Sequence, residues 1–571
     1  MPYVAVLNYY DTVAQANASV SFAMGIGFAP TDAPFIPGGL IKWAAPTQKI
    51  SIAAPVDPTT NSDSPSGVVS SETDQGEVDI ANFPPNLLSS GPYDFLIQRG
   101  VFQGRFAQLY YVPGSLWANR VLCWTSILEQ PIIQLNMGGG SPTSYYQFIL
   151  RDPRAALTAN IQPNLYGGTN VNGNGIDGET DLLGTPWPIL YGRASNIPGV
   201  LVNTSQLIYQ LADRPAFVDC VRDGGASIQP GVQRANVASL QANTPAPGTY
   251  DWSGATGEGT YVKMGTKPVF TLTFDVYEGA TIALRTHAQI WSRFRQDRCF
   301  TPSASIDPTA MAACDGLDSA EAGFWWNSQD DQQDALDTIL SGFSGYEYLG
   351  KTGLWEIAKL ELPPSGATPE FIFQFAIAGQ PMPANGRPIG DNLTFVRPDY
   401  MPDGAPVCEV TVDWGQNYQV MSTTDFAGAA PARLVAKFAT QWRTAVATNT
   451  AVWNPLTQTG PWINAPAYVM QGGYQVGPDG LTCPGAVAEA ARLQQMFGAV
   501  RNQLQFDFVG QPGDSPQPGD ICAVAMQPYL GTLGQSGGTA LFRVLQSGLT
   551  LDENGYMPAV VLGLQRLSTD P

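Results

Sequence analysis

The chain has 571 residues, of which 44% are hydrophobic, 13% are charged, 60 are Gly and 47 are Pro. A chain of this length is too long to fold around a single compact core, and the apolar content excludes a disordered chain. The net charge of −20, without a cluster of Lys and Arg, excludes a nucleic-acid clamp, although an acidic wall could let DNA pass without holding it.

The composition favours a mainly β protein. Gly and Pro punctuate turns, whereas long helices need charged outer faces, which are scarce here. Because the cores of protein interfaces are also depleted in charge, we expect much of the surface to be covered by partners. The first basic residue is Lys42, so we predict no secretory signal, and no apolar run is long enough to span a membrane.

The first strong strand patterns form a predicted β-meander. Its strands cover residues 105–112, 120–128, 132–135 and 145–150, with turns between them. Residues 159–186 are rich in Gly and Asn and predict a long functional or connecting loop.

Downstream, apolar and polar residues continue to alternate, and further along the apolar residues recur at helical spacing. Strands are predicted at 206–211, 217–221 and 270–276, and helical spacing returns over about 283–345. Ser328, with Asp331 three positions later, resembles a capping box that starts a short helix. Further strands at 354–362 and 369–376 make this region mixed α and β.

The last region again has strong β character. Alternation predicts a strand over 408–414, and residues from Pro484 onward predict one helix, with Pro at a position that the first turn tolerates. Four more strands follow, at 504–509, 521–526, 541–545 and 559–564.

Conventional catalytic patterns are missing from the sequence. The single histidine, His287, would have to serve any Ser-His or Cys-His mechanism, yet no nucleophile motif accompanies it. The seven Cys include no CxxC pair, and their pattern predicts free thiols and reduced cytosolic synthesis. We therefore predict no catalytic residue, no cofactor and no enzyme.

One loop resembles a calcium-binding loop. Its oxygen-bearing residues at alternate positions are Asn170, Asn172, Asn174, Asp177 and Asp181. The first position is Asn and the twelfth is Asp, where a calcium loop has Asp and a bidentate Glu. An Asn/Gly turn cluster is the alternative.

Two functional alternatives stay open. A cell-wall hydrolase would use paired carboxylates, but with 48 Asp and Glu some pairs lie close by chance. The cluster Asp330, Asp331, Asp334 and Asp337 suits the first turns of a helix. A carbohydrate- or receptor-binding protein would use some of the 13 Trp and 22 Tyr, although core packing also uses aromatic residues.

Several short blocks carry a resemblance to a known family. In chain order they are Tyr146-Gln147-Phe148-Ile149-Leu150-Arg151-Asp152, residues 181–192, residues 207–213, Asp223-Gly224-Gly225, and residues 334–340 leading into 353–357. Their order resembles the tail-hub, or tail-tip, proteins of long-tailed bacteriophages and gene-transfer particles. The similarity covers roughly residues 80–565, and residues 1–45 lie outside it.

The resemblance implies a homotrimer at the distal end of the tail in the virion, made in the host cytoplasm. Two β-barrel hub domains per chain would give six barrels that close or extend a hexameric tail tube. The implied partners are a distal tail protein or tail-tube ring, the tape-measure protein, receptor-binding or fibre proteins, and DNA that passes without specific binding. Hub proteins often carry a further C-terminal fibre extension, and its absence here would leave receptor binding to another protein.

The predicted fold is mainly β with a smaller α+β portion and a β-barrel hub domain near each end of the chain. We divide it into an N-terminal arm (1–45), a first barrel with the Gly/Asn loop (46–195), a second β domain (196–280), a mixed α/β domain (281–375) and a C-terminal barrel with one helix (376–571).

Overall fold

The fold was examined in a computed structural model of the chain. It describes residues 3–24, 32, 36–53, 69–81, 94–114, 116–136, 143–170, 173–375, 382–390, 393–398, 401, 404–454, 457–462, 465–477, 480–508, 510, 514, 516–525, 539–552, 555–567 and 570. These residues form 33 strands and seven α-helices, which confirms the prediction of a mainly β chain with a smaller α+β portion. No helix in these ranges combines the length and the apolar character that crossing a membrane requires.

The N-terminal strands pair in a closed circuit. The elements are β1 (Tyr3–Asp11), β2 (Ala16–Met24), β3 (Ile36–Ala44), β4 (Gln48–Ile52), β5 (Val69–Thr73), β6 (Gly76–Ala81), α1 (Asp94–Arg99), β7 (Gly100–Val101), β8 (Arg105–Tyr111), β9 (Val121–Leu128), β10 (Ile132–Asn136) and β11 (Thr143–Arg151). Pairing runs β1–β8–β9–β11–β6–β3–β2 and returns to β1. Trp43, Phe148 and Leu109 lie buried in one core inside this N-terminal circuit.

Two details differ from the sequence predictions. The segment predicted as an N-terminal arm contains β1, β2 and β3, which belong to the N-terminal circuit because alternate residues of β1 (Tyr3, Ala5, Leu7 and Tyr9) are buried in its core. The predicted meander is wrong at one step, since β9 pairs with β11 and not with β10. The strand positions of the meander are confirmed to within two residues.

Two five-stranded sheets follow and pack on each other. The elements are β12 (Ile189–Ile197), β13 (Val200–Asn203), β14 (Ile208–Ala212), β15 (Phe217–Asp223), β16 (Ala226–Ser227), β17 (Gln229–Gln233), α2 (Val237–Ala242), β18 (Thr249–Ala255), β19 (Gly259–Met264), β20 (Leu272–Tyr277) and, further along the chain, β21 (Gly323–Trp326). One sheet has the order β16-β15-β20-β12-β21, and the other has the order β13-β14-β19-β18-β17. Phe274 and Val262, one from each sheet, share a core.

The mixed region contains three helices around a hairpin. The elements are α3 (His287–Asp297), α4 (Pro308–Leu317), α5 (Gln332–Ser341), β22 (Gly345–Leu349) and β23 (Trp355–Lys359). The predicted short helix is confirmed as α5, but its cap is Asp331 and not Ser328, because the Asp331 carboxylate accepts a 2.8 Å hydrogen bond from the Asp334 backbone N–H.

The last part of the chain forms a second closed circuit and a separate small sheet. The elements are β24 (Phe371–Gln374), β25 (Gly386–Pro388), β26 (Thr394–Val396), β27 (Glu409–Trp414), α6 (Ala432–Phe438), β28 (Arg443–Thr448), β29 (Ala467–Gln471), α7 (Pro484–Phe497), β30 (Gln503–Asp507), β31 (Ile521–Ala525), β32 (Ala540–Asp552) and β33 (Gly555–Gly563). Pairing runs β24–β31–β32–β33–β30, and a bridge between Ile389 and Phe508 links the end of β30 to β25, which pairs with β24.

The helix α7 lies outside this C-terminal circuit. Its apolar residues Ala486, Ala490 and Leu493 share a core with Val410 of β27 and with Ile290 of α3. The segment predicted as one C-terminal unit, residues 376–571, is therefore divided, because β27, β28, β29 and α7 pack with the mixed region.

The long strand β32 joins the two circuits. Along one edge it pairs in turn with β31, with β4 at Gln546 and Ser547, and with β3 at Thr550 and Leu551. Along the other edge it pairs with β33. Leu549 and Leu551 of β32 lie in the core of the N-terminal circuit, so this strand contributes residues to both circuits.

Candidate assembly surface

Eight neighbouring strands cross both circuits as one continuous antiparallel strip. Its order is β10–β11–β6–β3–β32–β33–β30–β26, and every neighbouring pair is antiparallel. We call these eight strands the strip. Three of them belong to each circuit, β10 and β26 extend the strip at its two ends, and the pairing of β3 with β32 joins the two halves.

One face of the strip is buried, and the other faces away from both cores. Alternate residues such as Phe148, Val78 and Leu562 point into the cores. On the opposite face, which we call the open face, cross-strand partners form one row in each half. These rows are Ile132–Gln147–Asp79–Lys42 and Thr394–Gln505–Val561–Gln546.

The open face carries linked polar groups in the N-terminal half. Lys42 pairs with Glu77, and the Gln147 amide donates a 2.6 Å hydrogen bond to the other Glu77 oxygen. Gln134 in turn donates to the Gln147 side-chain oxygen at 3.1 Å. Burial, together with the nearby Glu77 charge, raises the pKa of Asp79 to about 6. Charges on this face are thus few and mostly compensated.

Both ends of the strip are open edges. Among the described residues, β10 pairs only with β11, and β26 pairs only with β30. Ile132 and Ile133 of β10 are 47% and 49% exposed, so apolar side chains are uncovered on both faces of this strand, and Phe395 of β26 is 48% exposed. An uncharged edge strand with exposed apolar residues is a template for pairing with another chain.

We call the pairing of β3 with β32 the joint. The two free edges of the strip have matching positions relative to this joint. In the N-terminal circuit, β10 is attached to β11, which lies two strands from β3; in the C-terminal circuit, β26 is attached to β30, which lies two strands from β32. Because the circuits contain seven and six strands, two steps are about a third of the way around each. The joint and the free edge of each circuit are thus separated by similar angles.

The residues weighed as catalytic candidates lie elsewhere. His287 begins α3, is fully buried and stacks on Phe343 with ring centroids 4.7 Å apart. Burial lowers its pKa to about 4, so the imidazole is neutral at pH 7. Asp331 and Asp334 lie at the N-terminus of α5, whereas Asp337 forms an ion pair with Arg154.

The calcium-loop candidates are held by hydrogen bonds within the protein. The Asp177 carboxylate accepts bonds from the Gly167 N–H at 2.9 Å and the Thr169 hydroxyl at 2.7 Å, and the Asn170 side-chain oxygen accepts from the Asp177 N–H at 3.0 Å. Asn174 and Asp181 are exposed, and Asn172 lies outside the described residues. This bonding describes an Asn/Gly turn cluster, and the calcium interpretation stays a prediction.

Neither metal ligation nor disulfide bonding organises the described parts of the chain. In those parts, no group of three or more His, Cys, Asp or Glu side chains is arranged to hold a metal ion. All seven cysteines lie in the described ranges, none of them forms a disulfide, and five are buried.

Comparison with known proteins gives structural matches only. No protein-family model matches the sequence. No curated protein matches it. Solved structures that are similar include a tail protein from Neisseria meningitidis MC58, with 8% identity, coverage of 99% of this chain and 96% of that chain, and a TM-score of 0.40.

Two further structures belong to the same group of matches. A 43 kDa tail protein of prophage MuSo2 from Shewanella oneidensis has 8% identity, coverage of 98% of each chain and a TM-score of 0.35. A type VI secretion protein from E. coli, described as similar to T4 bacteriophage tail proteins, has 7% identity, coverage of 92% of this chain and 73% of that chain, and a TM-score of 0.29. These descriptions agree with the resemblance seen in the sequence, but with TM-scores below 0.5 they add no argument about fold or function.

Proposed function

We propose that the chain is a structural hub of a bacteriophage tail tip, in which three copies close a ring that closes or extends the tail tube. The observation that carries the proposal is the strip with its two free edges. If β10 of one copy pairs with β26 of the next, both edges are covered and the apolar side chains of Ile132, Ile133 and Phe395 are removed from water.

The angle between the joint and the free edge supports a ring of three copies. In a ring of six barrels, each barrel meets its two neighbours at roughly 120°, which is about a third of a circuit. Three chains with two circuits each supply six units, and three strips of eight strands would form a continuous ring of 24 strands. Contacts between β10 and β26 are heterologous, and they leave no edge exposed only when the ring closes.

The open face of the strip would line the channel of this ring, because the cores lie on the other side of the sheet. The Gln and Thr side chains of the open face, together with the overall charge of −20, suit a wall that DNA passes without binding. The tape-measure protein would contact the same wall, and the distal tail or tube ring and any fibre proteins would bind the outside of the hub.

The mass of the purified chain tests the ring. Light scattering after size exclusion is expected to give about 183 kDa, three times the 61.0 kDa of one chain. Cryo-EM of intact virions labelled at the C-terminus is expected to place the label at the distal end of the tail. Label along the capsid or the tube would overturn the proposal, and clearing of peptidoglycan by the purified protein would favour the hydrolase alternative.

A further inference from the structure

A cavity whose lining residues lie outside the strip has the composition of a small-molecule site. It has a volume of about 520 Å³ and lies between the C-terminal end of α4, the strand β23 and the first half of α7. Pockets that hold small ligands typically have roughly 300–1,000 Å³. Its wall contains the buried side chains of Asp318, Lys359, Tyr474 and Glu489.

Acceptors and donors alternate along this wall. The Tyr474 hydroxyl donates to Asp318 Oδ2 at 2.8 Å, and Lys359 Nζ donates to the same oxygen at 3.0 Å. Lys359 Nζ also lies 2.8 Å from Glu489 Oε2, which accepts from Arg492 Nε at 2.9 Å. Burial raises the pKa of Glu489, but Arg492 and Lys359 outweigh it and lower that pKa to about 2. Every charge in this row is therefore paired with an opposite charge.

The buried carboxamide of Gln475, a residue that lines the same cavity, lacks partners. The residue is 2% exposed, and neither its side-chain oxygen nor its side-chain nitrogen makes a hydrogen bond to any described residue. His287, whose Nδ1 is 3.6 Å from Asp318, likewise has two ring nitrogens without a hydrogen bond in the described structure. An unpaired buried polar group costs about 1–3 kcal/mol, so a donor and acceptor supplied from the cavity would be stabilising.

Charge and lining decide the class of ligand. Because the ionic groups already neutralise each other, a charged ligand would add an uncompensated charge next to these buried side chains. A ring with several hydroxyl groups both donates and accepts, which matches the alternating wall and the orphaned Gln475 amide. Ile282, Leu317, Val476 and Ala488 supply apolar contacts for the C–H face of such a ring.

We propose that this cavity binds a neutral carbohydrate of about monosaccharide size. Binding would satisfy the Gln475 carboxamide and would occur in a single chain, so it does not depend on the ring proposed above. The site would give the protein a contact with sugar that is separate from its assembly surface.

Saturation-transfer NMR on the full-length protein tests the proposal with glucose, galactose and N-acetylglucosamine as probes. At least one of these neutral sugars is expected to give signals that Ala488→Phe, which fills the cavity, reduces at least tenfold. Glucuronate and glucosamine are expected to bind at least tenfold more weakly than the matching neutral sugar. Absence of signals for all three neutral sugars, or equal signals in Ala488→Phe, would overturn the proposal.

A substitution of the orphaned amide separates binding from folding. Because Gln475→Leu removes an unpaired polar group, the melting temperature measured without sugar is expected to rise or stay unchanged. The same substitution is expected to abolish sugar binding. The matched control Gln229→Leu, on exposed β17, is expected to bind sugar as the wild type does. A lower melting temperature of Gln475→Leu with binding retained would show that the amide is structural and would contradict the assignment.

Discussion

Trp43 of β3 lies directly opposite Leu551 of β32, and both side chains are completely buried in the core of the N-terminal circuit. The two residues are 508 positions apart in the chain, and their pairing joins the two halves of the strip. The core of the N-terminal circuit thus includes residues from the last part of the polypeptide.

Removing the Leu551 side chain tests this joint. Leu551→Ala is expected to lower the free energy of unfolding by about 2–5 kcal/mol, because it leaves a cavity in a tightly packed core. Urea denaturation of the purified protein measures the change. The neighbouring Thr550→Ala, on the open face, is the matched control and is expected to change stability by less than about 1 kcal/mol.

Charged substitutions at the free edges test assembly. Ile133→Lys in β10 and Phe395→Lys in β26 are each expected to shift the particle from about 183 kDa to 61.0 kDa, because a buried lysine opposes strand pairing between copies. Val13→Lys, at a residue that is 71% exposed outside the strip, should leave the mass unchanged. Trimers that persist in both edge variants would assign the interface to another surface.

The raised pKa of the Asp79 carboxyl group predicts that the stability of the folded protein depends on pH. Its pKa is raised to about 6 in the folded chain from an ordinary value of 3.8, so the folded state binds more protons than the unfolded state between these values. The contribution of Asp79 to stability therefore falls as pH rises from about 4 to about 6 and stays low above that. Asp79→Asn is expected to be more stable than the wild type at pH 7, and the difference should shrink below pH 4.

Thermal melts at several pH values measure this effect. Asp11→Asn is a control of opposite sign, because backbone N–H groups of Ala14 and Val13 lower the pKa of Asp11. At pH 7 the Asp11→Asn variant should be no more stable than the wild type. Equal melting temperatures of Asp79→Asn and the wild type across the range would refute the raised pKa.

The buried carboxylate Glu347 predicts a large loss of stability. It accepts hydrogen bonds from Arg295 and from Trp291 and lies 3.1 Å from Arg154. Burial raises its pKa, but Arg295 and Arg154 outweigh it and keep that pKa below its ordinary value. Glu347→Gln removes the counter-charge of the buried Arg295 guanidinium, whereas Arg154 keeps its pair with Asp337, and it is expected to cost about 3–5 kcal/mol in chemical denaturation.

A partly exposed ion pair provides the comparison for Glu347. Glu129 pairs with Arg151, and because both side chains are in partial contact with water, Glu129→Gln is expected to cost no more than about 1 kcal/mol. Similar losses in the two variants would mean that burial of the Glu347 network does not strengthen it. The same urea titration measures both variants.

Local patterns predicted many of the elements but not their partners. The helix α7 and the strands β8 and β31 begin where the sequence places them, because their apolar spacing and flanking turn residues lie within a few positions. The strands β1, β2 and β3 were assigned to an arm, although buried Tyr3, Ala5 and Leu7 alternate in β1. That alternation was the signal that could have identified the first strand.

The polar wall of the cavity was also missed, for a different reason. Lys359 follows Asp318 by 41 positions and Glu489 follows Lys359 by 130, so no short motif contains all three residues. One local signal existed, since Glu489 interrupts the buried apolar face of α7. The closure of each circuit likewise depends on pairings between distant strands, which periodicity does not specify.

The pairing of β32 with strands of both circuits sets an order for any opening of the proposed ring. Sliding β32 by one residue against β3 or β33 would turn its buried leucines toward the open face, so its register is fixed by the cores of both circuits. The short, three-residue β26 has no such anchor at its outer edge among the described residues. A widening channel would therefore separate one molecule from the next while each molecule keeps its own two circuits together.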